Sequence, residues 1–451
     1  MSTYISDSPT HFQFTSGHRT ILLVGIALGV ICLGMTWMVD DEFHSRFWSN
    51  LLHNSVFFTG IALMAGFFLC VCIIAWAGWH TVFKRVWEAM SMNLLIGFIF
   101  MTIIALVTYM HGNHLYHWAD VQSYVAEDDQ VLIGKSGFLN TNIYLGFTVV
   151  FVGLWLFFMS RIRNLSIAED ADGDASFSHH HKMRKYAALF LPLVGFSSAA
   201  MIWQWIMSID AHWYSTMFAW YTGASWFVSM MCFTVLSLIY LKGKGYYPEV
   251  TAEHIHDIGK FIFAFSIFWT YLWFSQYMLI WYANIGEETI YFRERIDKYP
   301  ILFYGNLIVN FLLPFFVLMR NDTKRKFGSL GFVAGVVFVG HWVDFFLMIK
   351  PGVATNTHHA MGGHGDHGGD GHGHGAEHAG DHGHGVAEAA HHGAEHASEF
   401  ILGTSFPGFL EIGTMIGFLS LFILVFFMVL SKARLVPKND PYLEESLHHH
   451  V

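Results

Sequence analysis

The sequence predicts an all-α integral membrane protein with about ten transmembrane helices. Three observations carry this. Charged residues make up 13% of the 451, whereas hydrophobic residues make up 54% and aromatics 17%; a soluble domain carries about 25% charge. Forty-four Phe and sixteen Trp are too much apolar surface for a water-facing globule of this size, which excludes a nucleic-acid binder, a disordered chain and an ordinary soluble enzyme. The apolar character is also continuous over runs long enough to span a bilayer, whereas a barrel strand alternates over about 10 residues.

The runs lie near 20–39, 54–79, 92–110, 138–159, 186–209, 216–241, 260–284, 300–319, 328–349 and 408–431. The first ends at Asp40 and Asp41 without a small-residue cleavage pattern, so it reads as an uncleaved span. Lys and Arg set the orientation. Of the 24, 18 fall in the two terminal segments and the 2–3, 4–5, 6–7 and 8–9 loops, and 6 in the other set. By the positive-inside rule both termini are cytoplasmic. The chain then divides into a cytoplasmic segment 1–19, a membrane domain 20–349, an outer loop 350–407, a tenth span 408–431 and a cytoplasmic tail 432–451. The outer face is acidic, with Asp40, Asp41, Glu42, Glu127, Asp128 and Asp129.

The outer loop 350–407 is rich in Gly, His, Ala and acid, with twelve His between His358 and His396. Nothing in it could build a core, so it is expected to be disordered. Weak surface metal binding at His364, His367, His372 and His374 is the most such a tract offers. The four Cys, at 32, 70, 72 and 232, all lie in apolar runs with no C-x-x-C or C-x-x-C-H spacing. No disulfide framework, iron–sulfur site or attached c-type haem is encoded.

Ionisable groups inside the bilayer cost about 2.5–3.5 kcal/mol each on insertion scales, so each is a functional candidate. Span 9 reads G-H-W-V-D-F-F-L-M-I-K-P. His341 and Asp344 share a helix face there, past the bilayer middle toward the outside; such a pair can hold and pass a proton, or simply bond two helices. Span 5 ends S-I-D-A-H-W-Y-S-T, with Gln204 inside the membrane and Asp210 and His212 at the outer boundary. Span 3 ends M-H-G-N-H-L-Y-H-W-A-D. If helical, His111, His114 and His117 cover about a third of the circumference and suit a metal, a quinone head group or a partner subunit. Glu411 opens span 10 near the outer face. Asn306, Asn310 and Gln276 read as interhelical glue and Pro314 as a kink. His53 and His80 bracket span 2; His80 is a surface anchor or the mouth of an inner proton path. The inner half otherwise offers mainly hydroxyls and amides.

The stretches S-I-D-A-H-W-Y-S-T-M-F-A-W-Y and G-H-W-V-D-F-F-L-M-I-K-P resemble the ActF-type membrane subunits of bacterial alternative complex III, within the wider polysulfide reductase NrfD-type family. The resemblance covers the ten-span layout, roughly residues 15–350 and 405–435; the His-rich loop is outside the family pattern. It implies two four-helix bundles, spans 2–5 and 6–9, with spans 1 and 10 peripheral. It also implies a bacterial inner membrane location with the His-rich loop in the periplasm. The complex would oxidise quinol, menaquinol as substrate, and reduce a c-type cytochrome or a terminal oxidase. Its redox centres, iron–sulfur clusters and c-type haems, would sit on partners. These partners are an iron–sulfur subunit, multihaem and monohaem cytochrome c subunits and the sister NrfD-type subunit ActC, to which the family's quinol site is assigned. This chain would then hold no cofactor. The resemblance carries a proton-conducting role to His341 and Asp344 and an outer-face role to Asp210 and His212. Two other readings remain: a secondary transporter for protons or a divalent metal, and a di-His membrane cytochrome b.

Overall fold

The computed structural model describes residues 10–126, 128–173, 176–360, 403 and 405–449. Among these residues the regular structure is helical, apart from isolated bridge residues such as the pair His11 and Arg434. Ten helices are long and apolar enough to cross a membrane: α1 Ser16–Val39, α2 Ser45–Ile74, α3 Thr81–Tyr109, α4 Thr141–Asp172, α5 Ser178–Trp205, α6 Met217–Gly243, α7 Ala252–Ala283, α8 Pro300–Leu318, α9 Phe327–Thr357 and α10 Phe409–Leu430. The chain is thus an all-α, multi-pass membrane protein. His364, His367, His372 and His374, with most of the His-rich segment, lie outside the described residues, as does Glu127.

Two packed groups of four, α2–α5 and α6–α9, meet along α2, α6 and α9. These three helices are 78, 83 and 72% buried over their most apolar stretch, against 22% for α1. A helix apolar on every side belongs in the middle of a bundle. α1 and α10 pack on each other at the periphery, where Gly29 meets Gly417. A Cβ at Gly29 would lie 2.5 Å from the Gly417 Cα, so the two backbones approach as only small residues allow.

The first and last described residues lie at one end of the bundle. The Leu435 N–H donates to the Thr10 carbonyl at 2.9 Å, and Ser446 in the tail donates to the Trp79 carbonyl at 2.8 Å. This is called the terminal end below, and the other the distal end.

Several helices run past the limits set by charge. α2 starts at Ser45, not at residue 54, because Glu411 neutralises Arg46 through two bonds of 2.7 and 3.0 Å. His53 is thereby placed inside α2. The helix containing α9 does not stop at 349 but continues to Ala360, because Lys350 is buried and donates to the Ser49 hydroxyl at 2.7 Å. The first residues of the expected loop are therefore helical. α2 stops at Ile74 rather than 79, and α3 starts at Thr81 with an interruption at Met92–Asn93. α8 carries a π-helical stretch, Ile308–Leu312, just before Pro314. Proline cannot donate to the carbonyl four residues back, and the wider turn absorbs that loss.

Candidate functional site

Asp344 is fully buried between α6, α7, α8 and α9. All four of its hydrogen-bond donors are neutral. Oδ1 accepts from the Tyr221 hydroxyl and from Asn306 Nδ2 at 2.6 Å; Oδ2 accepts from Trp269 Nε1 at 3.0 Å and Ser225 Oγ at 3.1 Å. Asn310 in turn donates to Asn306 at 2.5 Å. Two of the three amides read as interhelical glue, Asn306 and Asn310, thus lead to this carboxylate. His341 does not bond Asp344 directly: its Nδ1 lies 4.0 Å from Oδ2. Ser225 bridges them, its hydroxyl 2.8 Å from His341 Nδ1. A hydroxyl has one hydrogen. When Ser225 donates it to Asp344, the imidazole must donate from Nδ1, which leaves Nε2 bare. Nε2 is buried with no hydrogen-bond partner among the described residues.

A second element of the site was not legible in the sequence. The short helix Gly286–Lys298 brings Arg295, which is 2% exposed, against the distal turn of α9. Pro351 leaves the Leu347 carbonyl without its helical donor, and Arg295 Nε fills that place at 3.1 Å. The same guanidinium donates to Met348 O at 3.2 Å, Tyr291 O at 2.9 Å and Asp210 Oδ2 at 2.9 Å. It lies 3.4 Å over the Tyr291 ring, which stacks on Trp213 at 3.9 Å. Gly352 belongs to this close fit: a Cβ there would be 2.8 Å from Asp210 Oδ1. Burial pushes the Asp210 carboxyl above its usual range, against the pull of Arg295. Between Arg295 and Asp344 lies a void of about 20 Å3, also lined by Tyr221 and Gln276. Gln276 Oε1 is buried with no hydrogen-bond partner among the described residues. A polar void of this size holds about one water.

The terminal end holds a second buried cluster, made of paired charges. Glu88 binds Arg85 at 2.7 Å, accepts from Ser166 at 2.7 Å and lies 3.6 Å from Arg163. Arg85 also pairs with Asp170 at 2.5 Å. Lys84 pairs with Asp440 of the tail and lies 3.8 Å from Glu169. Burial pushes Asp440 up, but Lys84 outweighs it and holds the carboxyl below its ordinary value. Ligand atoms of Glu169, His180 and Asp440 come within 4.8 Å of one another, yet Lys84 already supplies positive charge there. His80 is not a surface anchor. It is 3% exposed, stacks on Trp87 at 5.3 Å and lines a void of about 20 Å3 with Lys84 and Glu88. Burial lowers its pKa to about 4. Between the two clusters, Ser229 and Thr234 of α6 bond their own helix carbonyls, and Thr234 accepts from Trp87 Nε1 at 3.0 Å.

The remaining candidates separate. Glu411 is held by Arg46, by Asn50 at 3.1 Å and by the Gly408 N–H at 3.0 Å, an internal lock joining α10 to α2. His212 pairs with Asp129, at 2.5 Å at the surface. His111, His114 and His117 do not share a helix face, because α3 ends at Tyr109 and His111 has φ 55°. His111 is exposed, His114 packs on Phe43 at 4.3 Å and His117 lies 6.2 Å from His212. His53, now inside α2, donates from Nε2 to the Trp342 carbonyl at 2.8 Å and stacks on that indole at 4.7 Å.

The two sequence stretches that stand out along the chain thus converge in space. Tyr221, at the end of the first, bonds Asp344 in the second, and Arg295 ties Asp210 of the first to two carbonyls of the second. No protein-family model and no curated protein matches the chain.

Proposed function

We propose that the chain is a membrane subunit of a quinol-oxidising respiratory complex, of the ActF kind, and that its α6–α9 bundle carries protons rather than electrons. In this reading the iron–sulfur clusters and c-type haems belong to partners, and both chain termini face the cytoplasm. The observation that supports it best is Asp344: a carboxylate buried in the membrane, bonded only by neutral donors, with a water-sized void on the way to Arg295 and Asp210. Such a group can gain and lose a proton without stranding a cation. Protons would pass from His341 through Ser225 to Asp344. They would leave past Arg295 and Asp210.

Affinity purification from the native membrane in mild detergent, with mass spectrometry of what comes along, tests the assignment. Recovery of multihaem cytochrome and iron–sulfur subunits is expected. Within that complex, Asp344→Asn should lower the proton-to-electron ratio while quinol oxidation continues. An unchanged ratio overturns the proton path, and recovery of the chain alone overturns the complex. The interruption of α3 at Met92–Asn93 and the π-helical stretch of α8 favour one rival, a proton-coupled transporter. Solute-dependent proton uptake by vesicles holding only this chain would establish it instead.

A further inference from the structure

The distal end holds a larger cavity that the Asp344 site does not use. It lies between the end of α5, the turn that follows and the short helix Gln130–Lys135, and measures about 410 Å3. Trp203, Trp213, Phe138, Leu139 and Lys135 line it. Three features point to an occupant with acceptor oxygens and negative charge.

Trp213 is 3% exposed, and its indole N–H has no acceptor among the described residues. The buried indole N–H of Trp203 has none either. An indole only donates, and each buried donor left alone costs about 1–3 kcal/mol. Two such donors in one wall are satisfied together by a ligand that carries oxygen. Lys135 supplies the charge. Its ammonium donates to Ala211 O at 2.6 Å and His212 O at 3.3 Å, and an ammonium has three hydrogens. Among the described residues the lining includes no carboxylate. Burial lowers the Lys135 pKa against the pull of Asp129, and an anion at its side would reverse that shift. The setting is that of a membrane interface, where Trp and Lys gather at headgroup level.

We propose that this cavity binds the headgroup of an anionic phospholipid, with Lys135 on the phosphate and Trp203 and Trp213 donating to phosphate or ester oxygens. The volume suits a glycerophosphate but not two acyl chains, which would run down the exposed apolar side of α5 at Phe196 and Leu189. A quinone ring would use the two indoles but bring no anion to Lys135. The bound lipid would brace the turn that carries Asp210.

Native mass spectrometry of the full chain in mild detergent, titrated with phosphatidylglycerol or with phosphatidylcholine of the same acyl chains, tests this. One phosphatidylglycerol should be retained in preference to phosphatidylcholine. Its occupancy should fall about tenfold in Lys135→Gln, the scale of one charge-assisted hydrogen bond, and about threefold in Trp213→Phe, the scale of a neutral one. Lys135→Arg should keep it. Equal retention of the two lipids overturns the proposal, as does unchanged retention in Lys135→Gln or recovery of a quinone in place of lipid. If Lys135→Gln does not keep the wild-type melting temperature, the preference of the wild-type chain and the Trp213→Phe variant decide the question.

Discussion

The two buried clusters treat a carboxylate in opposite ways. At the terminal end Glu88 faces Arg85 and Arg163, and Lys84 faces Asp440 and Glu169. Every acid there answers to a base, and taking away either strands the other. Toward the distal end Asp344 has a tyrosine, a serine, an indole and an amide. Among the described residues no cation is paired with it. The first arrangement suits a lock that fixes helices and tail, the second a site through which a proton passes. Buried ion pairs gain little net energy when intact and cost much when broken, so the two clusters should respond differently to the loss of one member.

The largest effect is expected at the lock. Arg85 is fully buried and holds Glu88, Asp170 and the Ser166 carbonyl together. Arg85→Gln leaves two carboxylates short of a cation and should cost about 3–5 kcal/mol. The measurement is thermal unfolding of the full chain in detergent beside Asp344→Asn, which removes a charge that had no cation. Equal losses in the two variants would erase the distinction between lock and proton site.

The lock should also have a pH limit. Burial holds His80 at about 4, below its ordinary 6.5, while Asp440 pulls it the other way. A depressed basic group adds stability above the unfolded pKa, which is lost as pH falls through the folded one. The loss should run from about pH 6.5 down to about 4 and approach about 3 kcal/mol. His80→Gln should flatten that part of the stability profile; a variant whose profile keeps the wild-type slope would place the titration elsewhere.

A smaller effect is expected where the two regions of the Asp344 site are joined. Arg295→Lys keeps the charge beside Asp210. A lysine has no planar fork with which to reach Leu347 O, Met348 O and Tyr291 O as well. The expected cost is about 2 kcal/mol, because the Leu347 carbonyl, which Pro351 deprives of its helical donor, is left unpaired. Hydrogen exchange localised to the distal turn of α9 would report it, and unchanged protection there would mean that the Leu347 carbonyl finds another donor.

Most of the fold was legible because continuous apolar runs admit one reading. The errors sit where a charge was taken to mark the end of a helix. Arg46, Lys84, Arg85 and Lys350 are all inside long helices, each answered by a group far away in sequence. Pairing over such distances leaves no trace in a single chain's pattern. His341 and Asp344 stood out because ionisable groups are rare in a span. Arg295 did not, since G-E-E-T-I-Y-F-R-E-R-I-D-K reads as a solvated loop and nothing local marks which Arg turns inward. The His111–His117 series failed for a local reason: the chain takes a left-handed turn at His111 and the helical spacing ends there.

The smallest change should be the most informative about function. Ser225 is one of four donors to Asp344 and, among the described residues, the one hydrogen-bonded bridge from it to His341, whose Nδ1 is 4.0 Å from the carboxylate. Ser225→Ala leaves Asp344 with Tyr221, Asn306 and Trp269, so the fold should lose only about 1 kcal/mol. For a proton the change is larger, because hydroxyl and imidazole can both accept and donate, and the step from His341 to Asp344 then has no intermediary. In the assembled complex the proton-to-electron ratio should fall while the melting temperature stays close to wild type. Ser225→Thr, which restores a hydroxyl, should recover the ratio. A ratio that follows stability in these variants, rather than the presence of the hydroxyl, would return Asp344 to the same class as Glu88, a buried acid that holds helices together.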